Sequence, residues 1–222
     1  HSFDEEQHAF NIEGMSWRKE ITDPLSPLVQ EQTIGISEAF NIRVDQPYAA
    51  ADYLYYFGGI DDLWLGLWGI IRAYASPQEH LLPLCPGQPP ALPQPLTPPP
   101  GAVVRHFEVA AIQKDIVYNR YGDHDPEGLL FVPLERACDV ICGRKSPIPL
   151  ILRANAGEWI EVILHNLFDP NMPIRYNDYP SVPLDMPHTP SMRVSLNPQF
   201  LRFDPVESSG INVGYNAVEQ TA

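Results

Sequence analysis

Asp52-Tyr-Leu-Tyr-Tyr-Phe-Gly-Gly-Ile-Asp-Asp-Leu-Trp-Leu-Gly-Leu-Trp-Gly-Ile-Ile-Arg72 is the stretch on which the reading of the fold turns. Residues 53–57 and 68–74 are rich in aromatic and β-branched side chains, the types that fit a pleated, half-buried surface. Between them lie Gly58, Gly59 and Gly66, which reach backbone conformations closed to other residues and so allow the chain to turn. The pattern predicts a β-hairpin with Asp61 and Asp62 in its connection.

The same signals extend along the chain. Ala39-Phe-Asn-Ile-Arg-Val44 alternates apolar and polar residues at period two, and His8-Ala-Phe-Asn-Ile-Glu-Gly14 is strand-like as well. Further strands are predicted over 107–118, 148–153, 159–166 and 192–196, separated by proline and glycine. No amphipathic helix of useful length is expected. The fold class is therefore all-β, with a Greek-key β-sandwich as the expected architecture.

Residues 76–101 hold ten of the 25 prolines. Proline lacks the backbone donor and fixes φ, so this run reads as an extended, semi-rigid connector; recognition by a proline-binding domain is the alternative. The chain thus divides into 1–75, a linker over 76–101, and 102–222. Neither half has enough strands to close a sandwich, and unpaired edges are normally covered. Strands from other segments of the same precursor, or from a companion subunit, are expected to complete them. The start on His1, without an initiator Met, suggests a processed or trimmed piece.

With 28 acidic against 14 basic side chains, the formal net charge is -14, which argues against nucleic-acid or anionic-membrane partners. No apolar run reaches the length of a membrane span, and no signal-peptide pattern is visible. Cys85, Cys138 and Cys142 are odd in number, so at least one is free or paired with another chain. Cys138 and Cys142 are spaced as C-x-x-x-C, open to structural thiols, a local disulfide or a metal pair. No P-loop, dinucleotide fingerprint, zinc finger or Ser-His-Asp spacing is present.

The hairpin stretch resembles the closing hairpin of a cupredoxin domain in the large, multidomain bacterial multicopper oxidases, the manganese-oxidase-like branch included. Other stretches are similar to the same family, in the same order. They include His8-Ala-Phe-Asn-Ile-Glu-Gly-Met-Ser-Trp17, Gln32-Thr-Ile-Gly-Ile-Ser-Glu-Ala-Phe40, Tyr118-Asn-Arg-Tyr-Gly-Asp-His-Asp-Pro-Glu-Gly128 and Ser191-Met-Arg-Val-Ser-Leu-Asn-Pro-Gln199. The resemblance implies two partial cupredoxin-like domains of a copper-dependent oxidase, with dioxygen as acceptor and a small molecule or metal ion as substrate. An extracellular or periplasmic location is expected.

The family's ligands are nevertheless depleted. Its hairpin usually reads Tyr-x-Cys-His-x-x-x-His-x-x-x-Gly-Met-Trp-Gly, whereas here Cys and His are missing and Leu67 replaces Met. Where the family has His-x-Phe-His-x-His-Gly, this chain has His8, Asn11 and Glu13, and it contains no His-x-His pair. Copper is expected to be bound mostly by companion segments.

Three residues remain as metal-ligand candidates. His8 maps onto the family's mononuclear copper ligand; it reads as a ligand shared with another chain or as a hydrogen-bonded structural histidine. His1 could chelate copper through its α-amine and imidazole if it is a true terminus. Glu13, with Asp61 and Asp62, could form a non-blue metal or acid–base site, since carboxylates suit harder ions; solvated turn residues are the plain reading of the two aspartates. Asp123-His124-Asp125 reads as a hydrogen-bonded turn, and His165 as a packing or pairing residue. Tyr53, Tyr55, Tyr56, Trp64 and Trp68 read as core packing, with an electron relay or pocket wall as the alternative.

Overall fold

The opening hairpin is formed. In a computed structural model, which describes residues 7–44, 48–58, 62–63, 65–82, 96–171, 192–216, 218 and 220–222, two compact units emerge. The first comprises the described residues of 1–97 together with Asn197–Gln220; the second is Pro98–Leu196 with Thr221–Ala222. Residues 197–220 therefore pack with the hairpin, although they follow the proline-rich segment in sequence. Half of that segment, residues 83–95, lies outside the described residues.

Six strands build the first unit: β1 (His8–Ile12), β2 (Trp17–Arg18), β3 (Leu28–Val29), β4 (Glu31–Ile34), β5 (Asp52–Phe57) and β6 (Trp68–Arg72). Four of them form an antiparallel sheet in the order β4-β1-β5-β6, while β2 and β3 pair separately. The hairpin register runs from Asp52 opposite Arg72 to Tyr56 opposite Trp68. Beyond it the Phe57 N–H donates to the Leu67 carbonyl at 3.1 Å, and the Leu67 N–H to the Asp62 carbonyl at 2.9 Å.

Strand alternation sorts the side chains onto two faces. Phe10 and Ile12 stand opposite Phe57 and Tyr55, and this face carries a core of Ile12, Met15, Trp17 and Tyr53. Of the aromatic residues read as packing, Tyr53 and Tyr55 join this core: Tyr53 is fully buried, and Tyr55 lies 6.1 Å from Phe10, centroid to centroid, which in turn lies 6.2 Å from Trp17. Trp68 stays half exposed, and Trp64 lies outside the described residues.

The second unit contains β7 (Val104–Gln113), β8 (Ile116–Val117), β9 (His124–Asp125), β10 (Leu129–Pro133), α1 (Leu134–Ile141) and β11 (Trp159–Asn166). Its main sheet has the order β10-β7-β11, with β10 antiparallel and β11 parallel to the central strand. Central β7 buries Val109, Ala110, Ala111 and Ile112, as a strand covered on both faces must. Helix α1 sets Ala137 and Val140 against Ala110, Ile112 and Val132.

Strands in several sheets with one short helix bear out the all-β class among the described residues. Four local expectations are corrected. Residues 39–44 are not a strand: Ile42 and Val44 pack against the core, but their backbone joins no ladder. Residues 148–153 and 192–196 likewise form no strand. Helix α1 was not expected, because eight residues at period 3.6 present only a short apolar stripe. Among the described residues no helix is long and apolar enough to cross a membrane.

Candidate functional site

Strand β1 places the candidate residues. His8 and Ile12 share the aromatic face by their even spacing, and Glu13, just beyond the strand end, falls on the opposite side. The ladder still holds Glu13, whose N–H donates to the Leu54 carbonyl at 2.9 Å. His8 and Glu13 are both buried, but they serve different environments. His1 and Asp61 lie outside the described residues.

On the aromatic side, His8 meets the hairpin connection. Its Nδ1 lies 3.0 Å from the Asp62 Oδ2 across 54 residues of sequence, and both side chains are buried. A carboxylate only accepts, so Nδ1 carries the proton in this contact. The Phe57 ring edge-packs on the imidazole at 5.7 Å. Asp62 is therefore not a solvated turn residue; it is 1 % exposed and tied to His8. Removing one member of such a buried pair leaves the other's charge without compensation.

On the opposite side, Glu13 is only half satisfied. Its Oε1 accepts a hydrogen bond from the Asn197 Nδ2 at 2.9 Å, and the same amide donates to the Ser209 carbonyl at 2.6 Å. Its Oε2 is buried with no hydrogen-bond partner among the described residues. Burial outweighs the Asn197 bond and pushes the Glu13 carboxyl up to about 7. Gln199 donates to Asn197, and Tyr56, at 3.5 Å from the Gln199 amide, is raised chiefly by burial. Gly14 follows at φ +70, a conformation that favours glycine, close against the Phe203 carbonyl.

A second carboxylate in this unit is fully engaged. Asp52 accepts a bidentate pair from Arg72, Nε at 2.6 Å and Nη2 at 2.8 Å, and a bond from the Tyr215 N–H at 2.6 Å. Its carboxyl is held below the usual range, first by the Arg72 hydrogen bonds. The Asn216 side chain exchanges hydrogen bonds with the Asp52 backbone, at 2.9 Å each way, and Arg72 stacks 4.4 Å above the Tyr215 ring. Asp52, Asn197, Tyr215 and Asn216 did not stand out in the sequence. The Asp52–Tyr215, Asp52–Asn216 and Glu13–Asn197 contacts each span more than a hundred residues, and no local pattern announces such pairs.

The remaining histidine candidates are locally occupied. His124 pairs with Asp115 at 2.8 Å, while Asp123 accepts from Asn119 and Asp125 from the Glu127 N–H, all in one turn. His165 faces Glu108 at 3.2 Å. Among the described residues, no three His, Cys, Asp or Glu side chains converge as a metal would require. A blue-copper centre needs a thiolate beside imidazoles, and in the described residues around His8 the acidic partner is Asp62. This donor set does not fit that centre. No protein-family model matches the chain, and no curated protein is similar enough to count as a relative.

Proposed function

We propose that this chain is a cupredoxin-like structural module of a copper-oxidase-type protein, in which an internal His–carboxylate pair occupies the place of a mononuclear copper site. The observation that supports this reading is the His8–Asp62 contact. The two segments that carry copper ligands in the family meet in space here, but an aspartate answers the histidine. The pair then ties β1 to the hairpin connection, as a shared metal would, without taking part in electron transfer.

Under this reading, copper and the reduction of dioxygen belong to other segments of the same precursor or to a companion subunit. The substrate would be a small molecule or a metal ion, and the location extracellular or periplasmic. This chain would shape and support the assembly. A non-catalytic scaffold is the second reading, favoured by the same pair: among the described residues no third His, Cys, Asp or Glu converges with His8 and Asp62.

Copper analysis of the purified chain, alone and within its precursor, tests both. Alone, the chain is expected to retain no stoichiometric copper(II) and to show no blue absorption, with His8→Ala changing neither result. Stoichiometric copper lost on His8→Ala would overturn the structural role. A precursor without copper would leave only the scaffold.

A further inference from the structure

Helix α1 carries a feature that the proposed function does not use. Ala137 and Val140 anchor it in the core of the second unit, which fixes the outward positions. Cys138 and Cys142 stand one helical turn apart, with the Cys142 N–H bonded to the Cys138 carbonyl at 3.1 Å. At this spacing two side chains share a face. Both thiols are free and exposed.

Distance separates the ways two thiols can combine. Residues i and i+4 on a helix have Cβ atoms about 5–6 Å apart, whereas a disulfide brings them to about 3.5–4.5 Å. A direct S–S bond would therefore require the last turn to unwind. A bridging ion covers the difference, because two metal–thiolate bonds of roughly 2.3 Å span up to about 4.6 Å between sulfurs.

The charges nearby select the ion. Asp139 grips Arg144 through Nε at 2.8 Å and Nη2 at 2.7 Å, and Lys145 through Nζ at 2.7 Å. Arg144 is raised first by its bond to Asp139, then by Cys142, with Cys138 also close enough to contribute. A monovalent cation between two thiolates leaves one net negative charge; Arg144 and Lys145 together carry one positive charge more than Asp139, and that surplus offsets it. Soft thiolates favour soft, thiophilic cations.

We propose that Cys138 and Cys142 form a two-thiolate site for a soft monovalent d¹⁰ cation, with Arg144 and Lys145 balancing the charge. On binding, two S–H bonds break, two sulfur–metal bonds form, and two protons pass to solvent. No group is oxidised or reduced.

Silver(I), which is redox-inert, is the probe, titrated in chloride-free buffer into the reduced full chain in the presence of N-acetylcysteine, a monothiol that competes away silver held by a single thiolate. Free-thiol assay and intact mass, both after desalting, report the product. The expected result is one silver per chain, both thiols masked together, and binding retained in Cys85→Ser. Cys138→Ser or Cys142→Ser, each made in the Cys85→Ser background, should lose stoichiometric binding while circular dichroism stays unchanged. Arg144→Gln should weaken binding by about 10-fold, as loss of an outer-shell partner does. Stoichiometric binding that survives either single substitution, or that vanishes in Cys85→Ser, would overturn the site. So would a disulfide formed readily between the two cysteines with the helix intact.

Discussion

The two faces of the first sheet treat buried acids differently. On the aromatic face Asp62 meets His8 and is paired. On the other, Glu13 keeps one oxygen without a hydrogen-bond partner among the described residues and titrates near neutrality. Asp52, at the opposite end of the hairpin's first strand, is buried too, yet its carboxyl is lowered because Arg72 and the Tyr215 N–H supply the missing donors. Burial alone does not decide the charge of these groups. The partner does, whether it comes from the facing hairpin strand, as Arg72 does, or from a distant part of the chain, as Tyr215 does.

The largest effect is expected at the paired acid. Asp62→Ala leaves His8 buried without its carboxylate and should cost about 3–5 kcal/mol in denaturant unfolding near neutral pH. A cost below about 1 kcal/mol, the range of exposed pairs, would erase the contrast between the faces.

The half-satisfied acid should show itself through pH. The folded carboxyl titrates at about 7 against 4.5 unperturbed, so between those values the folded state holds the proton more tightly than the unfolded chain. Stability is then full below about pH 4.5 and falls as pH rises through 7, by at most about 3 kcal/mol for a shift of this order. Glu13→Gln should flatten that slope, making the variant the more stable protein at alkaline pH. Parallel pH profiles would show that Glu13 is not starved of partners.

Asp52→Asn should matter less, about 2 kcal/mol, because Arg72 remains partly exposed and the solvent screens its lost partner. Its specific signature is local: hydrogen exchange at the Tyr215 amide should accelerate, since that N–H loses a charged acceptor. Unchanged exchange there would mean that Asp52 does not hold residues 214–216.

Much of this sheet was legible in the sequence. Alternation and aromatic content located β1, β5, β6 and β11, and turn chemistry joined β5 to β6. The same alternation misled over residues 39–44, because it reports where side chains point and not whether a backbone partner exists. Helix α1 was hidden by its length, with Leu134, Ala137 and Val140 as its whole inward stripe. At the site, His8 and Glu13 were singled out by where they fall against the family's ligand pattern. Asp62 looked like a solvated turn residue because a turn sequence does not reveal burial. Asn197, 184 residues from Glu13, carried no local signal at all.

The central claim is that His8 and Asp62 hold each other and need nothing between them. A double-mutant cycle on His8→Ala and Asp62→Ala, read by equilibrium unfolding in metal-free buffer, measures this directly. The account predicts a coupling of about 2 kcal/mol, within the range for residues in contact. Additive effects, within about 0.5 kcal/mol, would contradict it.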